Sequence, residues 1–176
     1  MASSSFNGGM ASAGKDAGTL AALQERTFTR AGRATRTSFP PERRMDGYLL
    51  EQFLRTRSYL VVATTRGDGR PHATPSSFVW LDGEFWLPTE PHTVRARNLS
   101  VAPDAALVLS EGEADSHAAI LITARASLVE AAHAPSEAAQ AWTEKIGHPP
   151  EWATLWIELA PISLLSFAAP GWRLET

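Results

Sequence analysis

Cysteine is absent from the 176-residue chain. Its absence excludes disulfide bonds, thiolate nucleophiles and cysteine-ligated zinc, and it fits a protein that works in a reducing cytoplasm. Long apolar runs are also absent, since no stretch approaches the ~20 residues that a membrane helix needs. The N-terminus lacks the charged, apolar and small-residue order of a secretory signal. We therefore expect a cytoplasmic protein with no membrane partner.

Lysine is scarce, and the basic residues are unevenly distributed. Residues 1–44 hold seven basic side chains against three acidic ones, whereas the remainder holds nine against sixteen. Lys145 is the only lysine after residue 44, so arginine must supply most of the anion-binding charge there. An acidic body argues against nucleic acid as a partner. The five histidines lack metal-ligand spacing, so we expect no catalytic metal.

The remaining sequence divides into a polar leader and an apolar domain. Residues 1–18 are mostly Ala, Ser and Gly, with too few large apolar side chains to offset the entropy of ordering. A short helical turn is expected over residues 19–25, and Phe39-Pro40-Pro41 indicates an extended approach to the domain. We predict a disordered or extended leader over residues 1–44 and one folded domain over residues 45–176.

Local signals in the domain predict short strands with few helices. Asp46 is expected to cap a helix over residues 47–57, where apolar residues recur at helical spacing. The pattern then predicts, in order, strands over 59–65, 70–80 and 85–87, a helix over 93–101, strands over 105–109 and 118–130, a helix over 136–146 with Ser136 as its N-cap and Gly147 as its end, and strands over 154–159 and 162–167. Many hairpin-linked strands favour a mainly β, antiparallel barrel over alternating βαβ units.

The segment from Thr89 to Leu99 has the chemistry of a phosphate site. A helix that begins at Thr93 directs backbone N–H groups and the positive end of its dipole towards an anion. Thr89 and Thr93 add hydroxyl donors, and Arg95 and Arg97 add guanidinium groups. These two arginines form the closest basic pair at a predicted helix start, so the sequence predicts that this segment binds a phosphate.

Three stretches together resemble one known family. They are VVATTRGDGRPH (61–72), TEPHTVRARNL (89–99) and PGWRL (170–174), and their order resembles that of the FMN-binding split-barrel family. This family includes the pyridoxamine 5'-phosphate oxidases and the deazaflavin-dependent reductases. The resemblance implies a six- to seven-stranded antiparallel split β-barrel with flanking helices. It also places Arg95 at the position of the family's phosphate-binding lysine, whereas Val94 stands where a second basic residue is common.

The resemblance further implies a cofactor, a reaction and an assembly. The cofactor would be FMN, and the reaction would pass a hydride between its N5 atom and a small organic substrate, within a homodimer that holds two cofactors at its interface. The implied cofactor-binding residues are Thr89, Thr93, Arg95 and Arg97 at the phosphate, His72, Thr74, Pro75, Ser76 and Ser77 along the flavin ring, and Trp172 and Arg173 at its edge. Because hydride transfer requires mainly positioning, no catalytic residue is assigned.

Two other functions remain open at this point. The same fold could use the deazaflavin coenzyme F420, whose phosphate would occupy the same place. A protein of a different class would bind a flavin or haem without catalysis, and a haem would need an axial ligand such as His72 or His117. A serine nucleophile is not expected, because Ser76-Ser77 lacks the glycines of a nucleophile elbow.

Overall fold

The computed structural model describes residues 8–174, with side chains described from residue 16 onward. The helices in this range are α1 (Gly8–Arg30), α2 (Arg33–Ser38), α3 (Gly47–Thr56), α4 (Val94–Val101) and α5 (Ser136–Ile146). The strands are β1 (Tyr59–Thr65), β2 (Pro71–Ser77), β3 (Val79–Leu81), β4 (Glu84–Thr89), β5 (Asp104–Glu111), β6 (Ala118–Glu130) and β7 (Leu155–Ala168), and short 3-10 turns lie at Pro41–Arg43 and Ala114–Ser116. No helix within residues 8–174 is both long and apolar enough to cross a membrane.

The seven strands form one antiparallel sheet in the order β2-β1-β5-β6-β7-β4-β3. Its two edge strands, β2 and β3, are separated along the chain only by Phe78. The chain therefore crosses from one edge to the other at this residue, whose buried ring lies 5.5 Å from that of Phe85. Because the sheet curls without pairing its edges, it is a split barrel, and the predicted mainly β fold is confirmed.

The barrel interior is filled by alternate residues of the strands and by one helix. In β1, for example, Leu60 and Val62 point inward while Tyr59 and Val61 are exposed, which is the period-two pattern of a strand with one buried face. Helix α3 closes one end with the wholly buried side chains of Leu50, Phe53 and Leu54. Each such side chain contributes about 1.5–3 kcal/mol of hydrophobic stabilisation.

The predicted caps are confirmed in two of three cases. Leu49 N–H donates a 2.8 Å hydrogen bond to the Asp46 carboxylate, which caps α3, and Gly147 ends α5 with a φ of 94°. Ser136 as the N-cap of α5 is wrong, since Pro135 holds that position. Ser136 instead begins the helix and donates to the Glu137 carboxylate at 3.1 Å.

Strand boundaries differ from the prediction in two places. The strand expected over residues 70–80 is divided into β2 and β3 at Phe78. The two strands expected over 154–159 and 162–167 are instead one strand, β7. Thr123 pairs with Ser163 and Ala124 with Pro161, so Ile162 is the extra residue of a bulge. This bulge lets β7 pass a residue that has no N–H and continue pairing with β6.

The leader expected to be disordered or extended is helical from residue 8 onward, while the first seven residues lie outside the described range. Leu20, Leu23 and Phe28 of α1 are buried, and α1 packs on α3 and β7. The Gln24 side chain donates to the Met45 carbonyl at 2.8 Å and accepts from the Ser166 hydroxyl at 2.5 Å. These contacts with distant parts of the chain supply the stabilisation that composition alone did not reveal. The domain boundary at residue 45 stays a prediction.

Candidate functional site

The predicted phosphate segment lies where β4 ends and α4 begins. Thr93 caps α4, since its hydroxyl oxygen accepts from the Ala96 N–H at 3.3 Å and the hydroxyl donates to the Glu90 carbonyl at 3.0 Å. The wholly buried Thr89 hydroxyl lies 3.1 Å from that of Thr93. Because Thr93 directs its one hydrogen to Glu90, Thr89 is the donor of this pair. The predicted helix start is confirmed, and the two hydroxyls lie together at it.

Arg95 extends from the first turn of α4 into a largely buried environment. Its Nη1 donates to the Ser76 hydroxyl at 3.0 Å and its Nη2 to the Pro88 carbonyl at 3.5 Å. Its Nε is buried without a hydrogen-bond partner, and no carboxylate of the described residues forms an ion pair with it. Burial lowers the pKa of the Arg95 guanidinium below its usual range. A half-buried cation without a counter-ion is partly desolvated at a cost, so this position favours an anion.

Four predicted residues are therefore brought together: Ser76 of β2, Thr89 of β4, and Thr93 and Arg95 at the start of α4. We call this group the α4 anion site. It offers the Arg95 guanidinium and the Ser76 hydroxyl hydrogen as donors, together with the positive end of a helix dipole, and the Thr89 and Thr93 hydroxyls line it with their hydrogens bonded to Thr93 and Glu90. These are the requirements for holding an oxyanion. The Ser76 hydroxyl accepts its hydrogen bond from an arginine rather than giving a proton to a base, so the site is suited to binding rather than to nucleophilic attack.

A hydrogen-bonded chain behind this site was not expected from the sequence. The buried Asn98 amide donates to the Thr64 hydroxyl at 2.8 Å, and that hydroxyl lies 3.5 Å from the His72 carbonyl. The chain joins α4 to β1 and β2, so it fixes the orientation of the helix over the sheet. Asn98 lies three residues after Arg95 on the same face of α4, and this spacing is the signal that could have identified it.

The other predicted residues of β2 and α4 have more peripheral positions. His72 and Thr74 are half-buried on the same side of β2 as Ser76, Pro75 is exposed, and the His72 Nδ1 is enclosed without a partner. Ser77 is half-buried and pairs with Tyr59. The Arg97 side chain is exposed and makes no hydrogen bond or ion pair with the described residues. The structure therefore does not bring Arg97 into the α4 anion site.

Trp172 and Arg173 make their contacts elsewhere. The Trp172 ring is buried with its centroid 5.8 Å from that of Phe53, and its Nε1 donates to the Glu111 carboxylate at 2.6 Å. The Arg173 Nη1 donates to the carbonyls of Pro170 and Trp172 at 2.8 and 2.6 Å. Within residues 16–174 neither side chain has a hydrogen bond to the α4 anion site. Their predicted position at a cofactor edge stays a prediction.

Comparison with known protein families gives a match over most of the chain. A family model described as pyridoxamine 5'-phosphate oxidase matches residues 49–169. The matched range includes all seven strands and the α4 anion site, whereas α1, α2 and the 3-10 turn at Pro41–Arg43 precede it. A search of curated protein sequences finds no match.

Several solved structures share this fold. The conserved hypothetical protein Rv2991 from Mycobacterium tuberculosis is similar with a TM-score of 0.67 and 19% identity, over 78% of this chain and 95% of that one. HutZ, the heme storage protein from Vibrio cholerae, is similar with a TM-score of 0.61 and 21% identity, over 69% of this chain and 95% of that one. An F420 reductase is similar with a TM-score of 0.52 and 17% identity, over 65% of this chain and 94% of that one. At these identities the likeness establishes the fold alone.

Proposed function

Because this chain belongs to the pyridoxamine 5'-phosphate oxidase family, we propose that its α4 anion site binds the phosphate of a flavin-type cofactor. The observation that carries the proposal is Arg95, a half-buried arginine whose enclosed Nε has no partner and which forms no ion pair with a carboxylate in the described part of the chain. A phosphate would accept from Nε and supply the missing negative charge. The dipole of α4 favours the same ligand.

We further propose that the cofactor is FMN and that the protein is an oxidoreductase acting on a small organic substrate. When bound, FMN supplies hydride transfer at its N5 atom. The chain's own residues would bind and orient it, with Arg95 at the phosphate and the backbone of residues 72–77 along the ring. The hydroxyls of Thr89 and Thr93 would turn from their present acceptors, Thr93 and the Glu90 carbonyl, to the phosphate. The Asn98–Thr64–His72 chain would keep these two parts of the site in register.

Two alternatives share the fold. Coenzyme F420 also carries a phosphate that the α4 anion site could hold, and the structural likeness to an F420 reductase supports this choice of cofactor. A non-catalytic flavin- or haem-binding protein is supported by the likeness to HutZ. For a haem ligand, His72 has an enclosed and unpartnered Nδ1. His117 is the other candidate, because its Nδ1 is hydrogen-bonded to the Ala114 carbonyl, which leaves Nε2 for a metal, and its ring stacks on Phe167.

The small molecule that copurifies with the protein decides among these cofactors. We expect mass spectrometry of the denatured protein to release FMN, with matching flavin absorbance in the native protein. Release of F420 would select the deazaflavin alternative, and a Soret band would select haem. If the protein copurifies empty, each cofactor is added in turn and binding is followed by fluorescence or absorbance. Failure of all three to bind would contradict the proposal.

Substitution of Arg95 tests the assigned site. We expect Arg95→Gln to weaken FMN binding by about 10- to 150-fold, because loss of a charge-assisted hydrogen bond costs about 1.5–3 kcal/mol. Arg36→Gln, on the exposed surface of α2, makes the same charge change and should leave the affinity within about twofold. Arg97→Gln shows whether the exposed arginine takes part. Unchanged binding in a folded Arg95→Gln variant would place the cofactor elsewhere.

We also propose that the protein is a homodimer that associates through the outer face of its sheet. Val61 pairs with Val108, Val108 with Leu121 and Leu121 with Leu165, so one apolar row crosses four strands. These side chains point away from the barrel interior, and Val61 and Leu121 are exposed. A face of this kind is self-complementary across a twofold axis, where each row covers its copy.

The assembly is tested by light scattering after size-exclusion chromatography. We expect a dimer for the native chain and a monomer for Leu121→Arg, which places a charge within the apolar row. Val101→Arg on α4 is the matched control, because Val101 is also exposed but lies outside that row. A monomeric native chain, or a Leu121→Arg dimer, would contradict the proposed interface.

A further inference from the structure

A second cavity lies away from the α4 anion site, between the N-terminal part of the chain and its C-terminal segment. It has a volume of about 530 Å³ and is lined by residues 42–45, by Leu49 of α3 and by most of residues 168–174. This volume is within the range of small-molecule sites, which is about 300–1,000 Å³. None of its lining residues belongs to the α4 anion site. We call it the C-terminal cavity.

The cavity has a fixed apolar floor. Met45, Ala169 and Trp172 are buried beneath it, and Leu49 adds a further apolar wall. Met45 is held on both sides, because its N–H donates to the Ser166 hydroxyl at 2.9 Å and its carbonyl accepts from Gln24 at 2.8 Å. These bonds tie the lining segment to β7 and α1, so the cavity is formed before any ligand arrives. An apolar ligand body would replace water on this floor.

The cavity also has an excess of positive charge. Among the residues that the structure describes, three arginines, Arg43, Arg44 and Arg173, line it against one carboxylate, that of Glu42. Arg44 is engaged elsewhere, because its guanidinium lies 3.5 Å from the Phe28 ring centroid and its Nε donates to the Phe39 carbonyl at 2.9 Å. The other two arginines therefore have guanidinium groups that remain for a ligand.

Arg43 has an unmet hydrogen-bond requirement. Its Nη1 is buried and has no partner. Arg173 donates to two backbone carbonyls through Nη1 alone. Neither arginine forms an ion pair with a carboxylate of the described residues. A buried donor without an acceptor is unfavourable, and an anionic oxygen at this position would supply the missing acceptor.

We propose that the C-terminal cavity binds a small amphipathic anion. The apolar body of the ligand lies against Met45, Leu49 and Trp172, and its carboxylate or phosphate group accepts hydrogen bonds from Arg43 and Arg173. Residues 42–45 precede the part of the chain that the family model matches, so the role of Arg43 is not implied by family membership, whereas Trp172 and Arg173 are also the residues that the resemblance places at a cofactor edge. The proposed site is also independent of which cofactor the α4 anion site holds.

The test is calorimetric titration of the full chain with decanoate and with octyl phosphate, both below their micellar concentrations. We expect saturable binding of at least one of them at one site per chain. Arg43→Gln should weaken it by about tenfold or more, because a charge-assisted hydrogen bond is lost. Arg36→Gln should change it by less than about twofold, as expected of an exposed arginine outside the cavity. 1-Decanol, which has the same apolar body as decanoate without the charge, should bind about tenfold more weakly.

Further variants separate this cavity from the α4 anion site. Arg95→Gln should leave decanoate binding unchanged, and Arg43→Gln should leave FMN binding unchanged. The Arg173 side chain is exposed, so Arg173→Gln should fold and serves as a second variant if Arg43→Gln does not fold. Absence of binding by both anions would overturn the proposal, as would equal affinity in Arg43→Gln and the native chain. If Arg43→Gln or Arg173→Gln weakens the binding of FMN and of decanoate to the same extent, the cavity belongs to the cofactor site instead.

Discussion

Arg95 on α4 donates a 3.0 Å hydrogen bond through Nη1 to the hydroxyl of Ser76 on β2. This bond links the helix whose N-terminus faces the proposed ligand to an edge strand of the split barrel. The Ser76 hydroxyl is the only side-chain acceptor that Arg95 has among the described residues. The other hydrogen bond of Arg95 goes to the Pro88 carbonyl, and its Nε has no partner. Ser76 therefore partly satisfies a cation that an anion would satisfy better.

Removal of the Ser76 hydroxyl should destabilise the cofactor-free protein more than the cofactor-bound protein. We expect Ser76→Ala to lower the free energy of unfolding by about 1–2 kcal/mol without ligand, because a half-buried charged donor loses its acceptor. With saturating FMN the loss should be smaller, since the phosphate provides another acceptor. Urea unfolding with and without FMN measures both values. Ser127→Ala on the exposed side of β6 is the control, and an equal loss in the two states would contradict the proposed phosphate position.

Substitution of Thr93 should weaken the start of α4. Thr93→Ala removes the N-cap hydroxyl and leaves the buried Thr89 hydroxyl without its acceptor. We expect a loss of about 1–2 kcal/mol in the free energy of unfolding. Thr93→Ser keeps the hydroxyl and should recover most of that loss. Thermal unfolding followed by circular dichroism measures both variants, and a Thr93→Ala variant as stable as the native chain would show that the cap contributes little.

The parts of this fold that the sequence predicts are those governed by local chemistry. Asp46 caps its helix as expected, and α4 begins within one residue of its predicted start at Thr93, because a capping bond is made within one helical turn. Gly147 ends α5 for the same reason, since a left-handed backbone there favours glycine. Contacts between distant segments had no such local signal. The helical α1 depends on Leu20 and Leu23 reaching the barrel, and the Ile162 bulge depends on the alignment of β7 with β6.

The candidate site illustrates the same division. The sequence identifies Arg95 and Arg97 equally, because both follow a predicted helix start. In the structure Arg95 and Asn98, three residues apart, face the sheet, and Arg97 is exposed. Which face of a helix meets the sheet is set by tertiary contacts, so the choice between the two arginines required the fold. Trp172, identified by resemblance, is buried against Phe53 with its N–H already bonded to Glu111.

Stability should depend on pH through Glu84. Burial, followed by the hydrogen bond and charge of Glu158, raises the pKa of Glu84 to about 7 from 4.5. The folded protein therefore holds this proton more tightly than the unfolded chain, and the resulting stabilisation is complete below pH 4.5 and lost as the pH rises to about 7. We expect the difference in unfolding free energy between the native chain and Glu84→Gln to fall by about 1 kcal/mol across this window, after allowance for partial exposure.

Chemical denaturation of the two proteins at several pH values measures this difference. Glu151→Gln, at an exposed position before β7, makes the same charge change and should give a difference that stays nearly constant. If the unfolding free energies of Glu84→Gln and the native chain change equally with pH, Glu84 titrates as an ordinary carboxyl group.

Lys145 should titrate well below the usual range of lysine. Its Nζ lies 3.9 Å from the Phe78 ring centroid and 3.5 Å from the Leu54 carbonyl, and burial, together with the charge of Arg55, lowers its pKa to about 8. The chain has two lysines, so Lys15→Arg leaves Lys145 as the source of a single lysine side-chain signal. We expect the ¹³Cε shift of that signal to titrate near pH 8, and a midpoint above about 10 would contradict this.

The same group gives a stability change of opposite direction to that of Glu84. The unfolded chain holds the lysine proton up to about pH 10.5, whereas the folded protein releases it near pH 8. Charged Lys145 is thus a cost to folding that is complete below pH 8 and disappears as the pH rises to 10.5. We expect the native chain to gain up to about 3 kcal/mol relative to Lys145→Met over this interval, at about 1.4 kcal/mol for each pH unit between the two pKa values. The unfolding free energies of the two proteins are measured in urea from pH 7 to pH 10.5. A gain of the native chain relative to Lys145→Met as the pH rises would support a depressed pKa of Lys145, and equal changes in the two proteins would contradict it.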